Sequence, residues 1–308
     1  MKKRGLEFSF AWLFAIIVGA FILFLAIFAV SKIISLGETE VDAKTGKEFG
    51  IILNPLESGA ESATSNYITM PVESRIYNKC NLEGNWGRQI IQVSQKSFNK
   101  WSQTNIDVGF SNKYLFSENY VEGKKFYLFS KPLEFPFKVS DLIIVTKAET
   151  KYCFIDAPEE IKDDISRLKQ GNLLTENCSS KTENLKICFQ SYNSCNVIVD
   201  YQNGVVKKGQ NSLYFEGDAL MFAAIFSDKD IYECQLKRLM KRTKNLALIY
   251  IDKGNFVSKV DCNSNLDTEL SALISASANL KSSQDLSSLK LIVDELNDKN
   301  SEAICKLW

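Results

Sequence analysis

Eight cysteines carry the most definite chemistry in this chain. They are Cys80, Cys153, Cys178, Cys188, Cys195, Cys234, Cys262 and Cys305, an even number with none in the first 79 residues. Metal binding asks for close pairs such as Cys-x-x-Cys with histidine or more cysteine nearby. The chain has 0 His and no such pair, so no metal and no other cofactor is expected. Disulfides are the expectation, with the pairing open. Spacing favours Cys178 with Cys188 or Cys195 as a local clasp, and Cys262 with Cys305 as a staple on the tail. Cys153 and Cys188 lie inside apolar, strand-like runs and also read as buried free thiols.

Charge offers two further constellations. Lys237, Arg238, Lys241, Arg242 and Lys244 stand together with no acid between Glu233 and Asp252. On a helix, Lys237, Lys241 and Lys244 share one side and the arginines flank it, a set able to meet phosphate, lipid headgroups or an acidic polymer. The plainer and favoured reading is a solvated helix face opposite Leu239, Leu246 and Ile249. Asp141, Asp156, Glu159, Glu160, Asp163, Asp164 and Asp200 form an acidic set near expected strand ends. Paired carboxylates hold hard cations or share proton transfer, but a helix amino terminus explains Glu159 and Glu160 on its own. Nucleophilic catalysis has no support: there is no histidine, no Gly-x-Ser-x-Gly and no Gly-rich phosphate loop.

Aromatic residues crowd one stretch: Tyr114, Phe116, Tyr120, Phe126, Tyr127, Phe129, Phe135 and Phe137. Alternation sets Phe126 and Leu128 on one strand face and Tyr127 and Phe129 on the other. Either the sheet is covered on both sides, the favoured reading, or one face awaits a partner. Asn177-Cys178-Ser179 is a glycosylation sequon whose cysteine is expected to pair.

These residues need elements to position them, and the first element is an anchor. Phe8 to Ser31 is an uncharged apolar run preceded by Lys2, Lys3 and Arg4. It is too long for a signal-peptide core and no small-x-small cleavage site follows. A single membrane-spanning helix over 8–34 is expected, embedded in the lipid bilayer. The basic flank sets the amino terminus, residues 1–7, in the cytoplasm. Cysteine placement agrees independently, since disulfides persist outside the cytosol. The expectation is thus a single-pass cell-membrane protein with an extracytoplasmic ectodomain.

Composition fits a folded ectodomain. The chain is 45% hydrophobic and 24% charged, enough to bury a core. Lysine plus arginine and aspartate plus glutamate each number 37, and setting aside Lys2, Lys3, Arg4, Lys32 and Glu7 leaves −3 beyond the anchor. Nucleic-acid binding is not expected at that charge.

Along the chain, 35–65 reads as a juxtamembrane connector in which Glu38 to Leu53 forms a short amphipathic helix ended by Pro55. The part 66–150 is β-rich: Tyr67 to Tyr77, interrupted or at an edge because of Pro71; a strand around Ile90 and Val93 after a Gly and Trp turn, Glu83 to Gly87; Ile106 to Phe116; Lys125 to Ser130; and Leu142 to Thr146, with Pro132 and Pro136 marking a break. The part 151–308 opens as strand, helix and strand: Tyr152 to Ile155, Pro158 to Gln170 stopped by Gly171, and Leu185 to Phe189. A hairpin at Asn203-Gly204 follows. Leu220 to Phe226, wholly apolar, reads as a buried strand. Ser227 or Asp228 then caps a helix to about Tyr250, and Leu266 to Leu280 and Leu286 to Leu296 are helical. The fold class is α+β (mixed α/β), with a β-rich first half and a helical carboxyl-terminal part behind one transmembrane helix.

Arg4-Gly5 followed by Leu6, Glu7 and the apolar helix resembles a type IV prepilin (class III) leader over about the first 30 residues. The resemblance implies cleavage after Gly5 and self-assembly through the helix. Two features depart from it: Glu7 would stand second after the cut rather than fifth, and Gly37 with the charged connector is expected to break the stalk helix. The Lys-Lys-Arg-Gly start, Asn-Lys-Cys at 78 to 80 and closing Cys-Lys-Leu-Trp are similar to uncharacterised anchored surface proteins of small-genome archaea, which implies surface exposure and no known activity. The function expected is a non-enzymatic binding or structural role at the cell surface, with a protein or surface-polymer partner. The alternative is an extracytoplasmic enzyme or receptor with Asp156 or Asp228 converging on a pocket at strand ends.

Overall fold

One helix, α1 (Phe10–Ile52), opens the computed structural model, which describes residues 10–52, 65–97, 99–102, 107–176, 178, 184–190 and 194–308. Phe10–Val30 of α1 is long and apolar enough to cross a membrane, and none of it is buried in protein. Its 21 residues rise about 32 Å, matching a hydrocarbon core of about 30 Å. The expected break at Gly37 does not occur: α1 is continuous for 43 residues. One glycine costs a helix only about 1 kcal/mol, and the residues that follow it include ordinary helix formers.

The β-rich half is a barrel whose circuit is completed by the chain running from its fourth strand to its fifth. Its strands are β1 (Ser65–Asn81), β2 (Arg88–Ser97), β3 (Lys100–Trp101), β4 (Val108–Phe110), β5 (Leu115–Phe116), β6 (Tyr120–Glu134) and β7 (Lys138–Lys147). β1 pairs antiparallel with β2 and β6, β6 with β7, and β2 with β4, whereas β5 runs parallel to β7. β4 pairs with β2 and β5 with β7, and residues 111–114 carry the chain from one to the other, so the circuit β2, β1, β6, β7, β5, β4 returns to β2. That order and those directions are those of an OB-type barrel. Ile76, Ile91, Val93, Leu115, Val121, Phe126, Leu128, Ile143 and Val145 fill its interior.

Two sequence expectations change here. Ile106 to Phe116 is two short strands because its halves serve opposite edges of the circuit; Ile106 itself lies outside the described residues. Pro132 lies within β6 opposite Asp141 and does not break it. β1 leaves β6 at Phe129, so Pro132 sits where its missing N–H has no ladder partner to fail. Pro71 does interrupt β1, in the register shift between Thr69 and Ser74.

The second sheet runs β13, β12, β11, β10, β8, β9, comprising β8 (Lys151–Ile155), β9 (Leu173–Leu174), β10 (Asn184–Cys188), β11 (Val197–Asp200), β12 (Val205–Lys208) and β13 (Asn211–Tyr214). The four from β9 to β11 are parallel. Helix α2 (Glu159–Leu168) buries Ile161, Ile165 and Leu168, and ends at Lys169 in the left-handed conformation, two residues before Gly171.

Helix α3 (Gly217–Phe226) corrects the strand expected over Leu220 to Phe226. A run buried on every side has no periodicity by which helix and strand differ, and every side chain from Ala219 to Phe226 is buried. Phe222 meets Phe129 of the barrel at 5.7 Å, and Phe226 meets Tyr152 of the second sheet at 5.0 Å. The helix therefore lies between the two sheets. Helix α4 (Lys229–Ser258) starts after Asp228 as expected and continues past Tyr250. Helices α5 (Asp267–Asn279) and α6 (Leu286–Glu302) complete the fold.

All eight cysteines are paired: Cys80–Cys234, Cys153–Cys178, Cys188–Cys195 and Cys262–Cys305, with Cα separations of 6.0, 5.8, 6.0 and 5.7 Å. The expected tail staple is present. Cys178 takes neither expected partner, because β9 lies beside β8 with Leu174 opposite Cys153, so the chain leaving β9 returns Cys178 to β8. Cys188 and Cys195 close the short connection between β10 and β11. Neither Cys153 nor Cys188 is a free thiol.

Candidate functional site: the barrel's outer face and its clamped loop

The five basic residues of α4 do not form one solvated face. Arg238 is fully buried. Its guanidinium donates to the carbonyls of Lys113 at 2.9 Å, Ser111 at 2.9 Å, Trp86 at 3.3 Å and Phe110 at 3.4 Å, and to Gln235 Oε1 at 2.6 Å. The ring of Tyr114 lies 4.6 Å from its central carbon. Desolvation lowers its pKa to about 10, so the charge persists at neutral pH. Arg242 Nε donates to the Val139 carbonyl at 2.6 Å, and Lys241 Nζ to the carbonyls of Leu82 at 2.7 Å and Gly84 at 3.0 Å. Lys237 and Lys244 are half-buried. Three of the five cations thus hold barrel carbonyls, because α4 lies along the barrel rather than on its own.

Their main object is the loop between β1 and β2, residues 82–87. Lys241 takes its first carbonyls, Arg238 takes that of Trp86, and Cys80–Cys234 ties its base to α4. Gly87 has φ +61°, and a Cβ there would meet the Asn81 carbonyl at 2.5 Å and Arg238 Cγ at 3.0 Å. Only glycine lets the loop close over the arginine. Beneath it, Gln89 Nε2 donates to Asn78 Oδ1 at 2.7 Å, Asn78 Nδ2 donates to Ser117 Oγ at 2.9 Å, and Gln235 Nε2 donates to Gln89 Oε1. This buried polar seam rigidly docks α4 on the barrel.

The loop borders the outer face of β6, β1, β2 and β4. Register sets Tyr120 opposite Tyr77, Glu122 opposite Arg75, and Gln92 opposite Tyr77 on that face. Arg75 lies 4.3 Å from the ring of Trp101 and 4.9 Å from that of Tyr120, while its Nη2 donates to Glu122 at 2.7 Å. Lys96 pairs with Glu73 at 2.8 Å. A cleft at the loop end is lined by Asn81, Glu83, Gly84, Arg88, Ile90, Asp107 and Gly109. Tyr120 is 46% and Trp86 41% exposed. Of these, the sequence singles out Tyr120 as a surface aromatic, and gives Ile90 and the Glu83 to Gly87 turn only as parts of a strand and a turn. The signal for the rest was the alternation of Arg75, Tyr77 and Lys79 with Ile76 and Asn78, which becomes informative once β1 is seen to be paired on both sides.

The acidic set disperses. Asp141 pairs with Lys138 at 3.1 Å, Asp164 with Lys131 and with Arg167 at 2.7 Å, Glu159 with Lys162 at 3.0 Å, and Asp200 accepts from Asn203 at 3.1 Å. Glu160 and Asp218 both accept from the Tyr201 hydroxyl, at 2.8 and 3.0 Å. Burial, then the two carboxylates, push that phenol above its usual range. Among the described residues no three Cys, Asp or Glu side chains converge as metal ligands. Asp228 accepts from the Asn119 backbone N–H at 2.8 Å. Most of the aromatic stretch is covered, with Phe126 and Leu128 inside the barrel and Phe129 against α3, whereas Tyr120 stays exposed on the outer face. Gly5 and Asn177 lie outside the described residues.

No family model, curated protein or solved structure matches this chain. The chain itself is a mixed α/β protein, braced by four disulfides, with one amino-terminal helix able to anchor it in a membrane.

Proposed function

We propose that this is a single-pass cell-membrane protein whose disulfide-braced domain lies outside the cytoplasm and serves as a binding module, with no catalytic role of its own. The observation that carries the reading is the pairing of all eight cysteines on one side of the apolar helix, a pattern suited to an oxidising compartment. The basic flank at Lys2, Lys3 and Arg4 supports the same direction. The outer barrel face, backed by a loop tied at several points, supports binding by a preorganised surface. Thiol labelling tests the placement. In intact cells expressing the full chain, a membrane-impermeant maleimide is expected to add nothing until an impermeant reductant is supplied, and then to mark up to eight thiols. Eight reactive thiols in protein denatured without reductant would overturn it.

A second reading, self-assembly through α1 in the manner of a pilin, is favoured by one observation. The helix runs unbroken from Phe10 to Ile52, removing one of the departures from the prepilin pattern. Intact-mass measurement of the native protein tests it: loss of residues 1–5 supports assembly after cleavage at Gly5, and retention of the leader rejects it.

A further inference from the structure

We propose that the carboxyl-terminal half of α4 is a contact between two copies of this chain, in which the exposed row Ile249, Phe256 and Val260 packs antiparallel against the same row of the second copy. The surface is separate from the barrel face and does not depend on what that face binds.

One side of α4 has two fates along its length. Ile231, Gln235, Arg238 and Arg242 are spaced by four, three and four residues, which sets them in one row along the helix. There the side is docked. The first three are buried, and Arg242 Nε donates to the Val139 carbonyl at 2.6 Å. Ile249 and Phe256 continue the row at seven-residue steps from Arg242, and Val260 follows in the turn after the helix. Here the side is open: Ile249 is 60%, Phe256 70% and Val260 71% exposed. Ile304, wholly exposed, adjoins Cys305, whose bridge to Cys262 holds it close to Val260. A packed seam therefore runs on into solvent as an apolar stripe about 16 Å long. Scattered apolar residues on a surface are ordinary, but a continuous stripe marks a contact.

The charges beside the stripe select its occupant. Asp252 and Lys259 are exposed, and among the described residues neither has an ion-pair partner. They stand about 10 Å apart along their own helix, too far to pair with each other. In an antiparallel pair with its two-fold axis level with residues 254 and 255, Ile249 faces the partner's Val260, Asp252 faces the partner's Lys259, and Phe256 lies beside the axis. Symmetry makes each of these contacts twice, the self-complementarity that an isologous interface requires. A parallel pair would set like charges against each other. Lys253, on the same side, turns its ammonium to the Leu307 carbonyl and so leaves the stripe.

A lipid surface fits less well. Asp252, Lys253, Lys259 and Asp261 sum to zero, whereas helices that lie on membranes carry lysine and arginine in excess on the polar side. The stripe is short, at the small end of interface size. Pairing is thus favoured where α1 holds copies in one bilayer and raises their effective concentration.

The test is photocrosslinking of the full chain in phosphatidylcholine vesicles, with p-benzoylphenylalanine in place of Ile249. Illumination is expected to join two chains, and mass spectrometry to map the link to the segment around Val260 of the other copy. Phe256→Asp and Asp252→Lys are each expected to lower the yield about tenfold or more, and combining Asp252→Lys with Lys259→Asp is expected to restore it. These side chains are exposed; intact mass showing four disulfides confirms that each variant is folded, and Val260→Asp substitutes for Phe256→Asp if that one is not. Adducts to lipid alone, links from residue 249 to any other surface of a neighbouring chain, no link between chains, survival of the link in Phe256→Asp, or no recovery in the exchanged pair would overturn the assignment. Assembly through α1 brings chains together without setting residue 249 beside Val260, so its failure and the failure of this contact are read separately.

Discussion

Arg238, one turn along α4 from Cys234, directs its Nε at the Trp86 carbonyl 3.3 Å away in the loop between β1 and β2. The same guanidinium holds the carbonyls of Lys113 and Ser111. Among the described residues no carboxylate pairs with it; carbonyl dipoles and the Tyr114 ring balance it. Arg238→Met is expected to strand those carbonyls and to cost about 3 kcal/mol or more. Arg238→Lys is expected to recover only part of this, since an ammonium lacks the planar fork. Urea unfolding of the full chain in detergent reads both values, and a loss under about 1 kcal/mol for the methionine variant would contradict the account.

The bridges differ in the length of chain they close. Cys80–Cys234 spans 154 residues and Cys188–Cys195 spans 7. Loop-closure entropy gives about 5 kcal/mol for the first and about 2.5 for the second. Replacing each pair with alanine is expected to preserve that order in the urea midpoints.

Lys208 is half-buried, with Nζ donating to the Ser227 carbonyl at 2.7 Å. Desolvation lowers its pKa to about 8, with Asp228 and Glu118 partly offsetting. The folded state therefore releases this proton before the unfolded chain does. Between about pH 8 and the ordinary lysine range the unfolded state binds more protons, so this group makes stability rise with pH. Lys208→Met is expected to remove that rise. Stability profiles of the two proteins from pH 7 to 10 check it, and parallel profiles would reject the role.

Phe222 projects from α3 into contact with Phe129 and Phe154, which belong to different sheets. Phe222→Ala is expected to cost about 3–5 kcal/mol. Phe256→Ala, 70% exposed, is expected to stay within about 0.5 kcal/mol.

Much of the fold was legible because its signals are local. The anchor follows from an uncharged run, α2 from Asp156, Pro158 and its acidic first turn, and the β1–β2 turn from Glu83 to Gly87. What failed was set by tertiary surroundings. Leu220 to Phe226 lacks a polar side to show its period, since two sheets enclose it. Ile106 to Phe116 gives no sign that its halves pair with different strands. Cys178 found Cys153 because β9, just before it, pairs in parallel with β8, and nothing local in the sequence announces that pairing. The candidate site was hidden for the same reason. Arg238 reads as surface charge until the barrel carbonyls are placed around it, and Arg75, Tyr77, Trp101 and Tyr120 converge only through strand register.

Placing α3 between the barrel and the second sheet also governs how the protein comes apart. Neither sheet can shed that helix without baring phenylalanines to water, so each half depends on the other for its inner wall. Loss of one half should carry the other with it, giving a single melting transition rather than two. For the same reason a division near residue 150, natural as it looks along the chain, separates a barrel from the apolar helix that seals its flank.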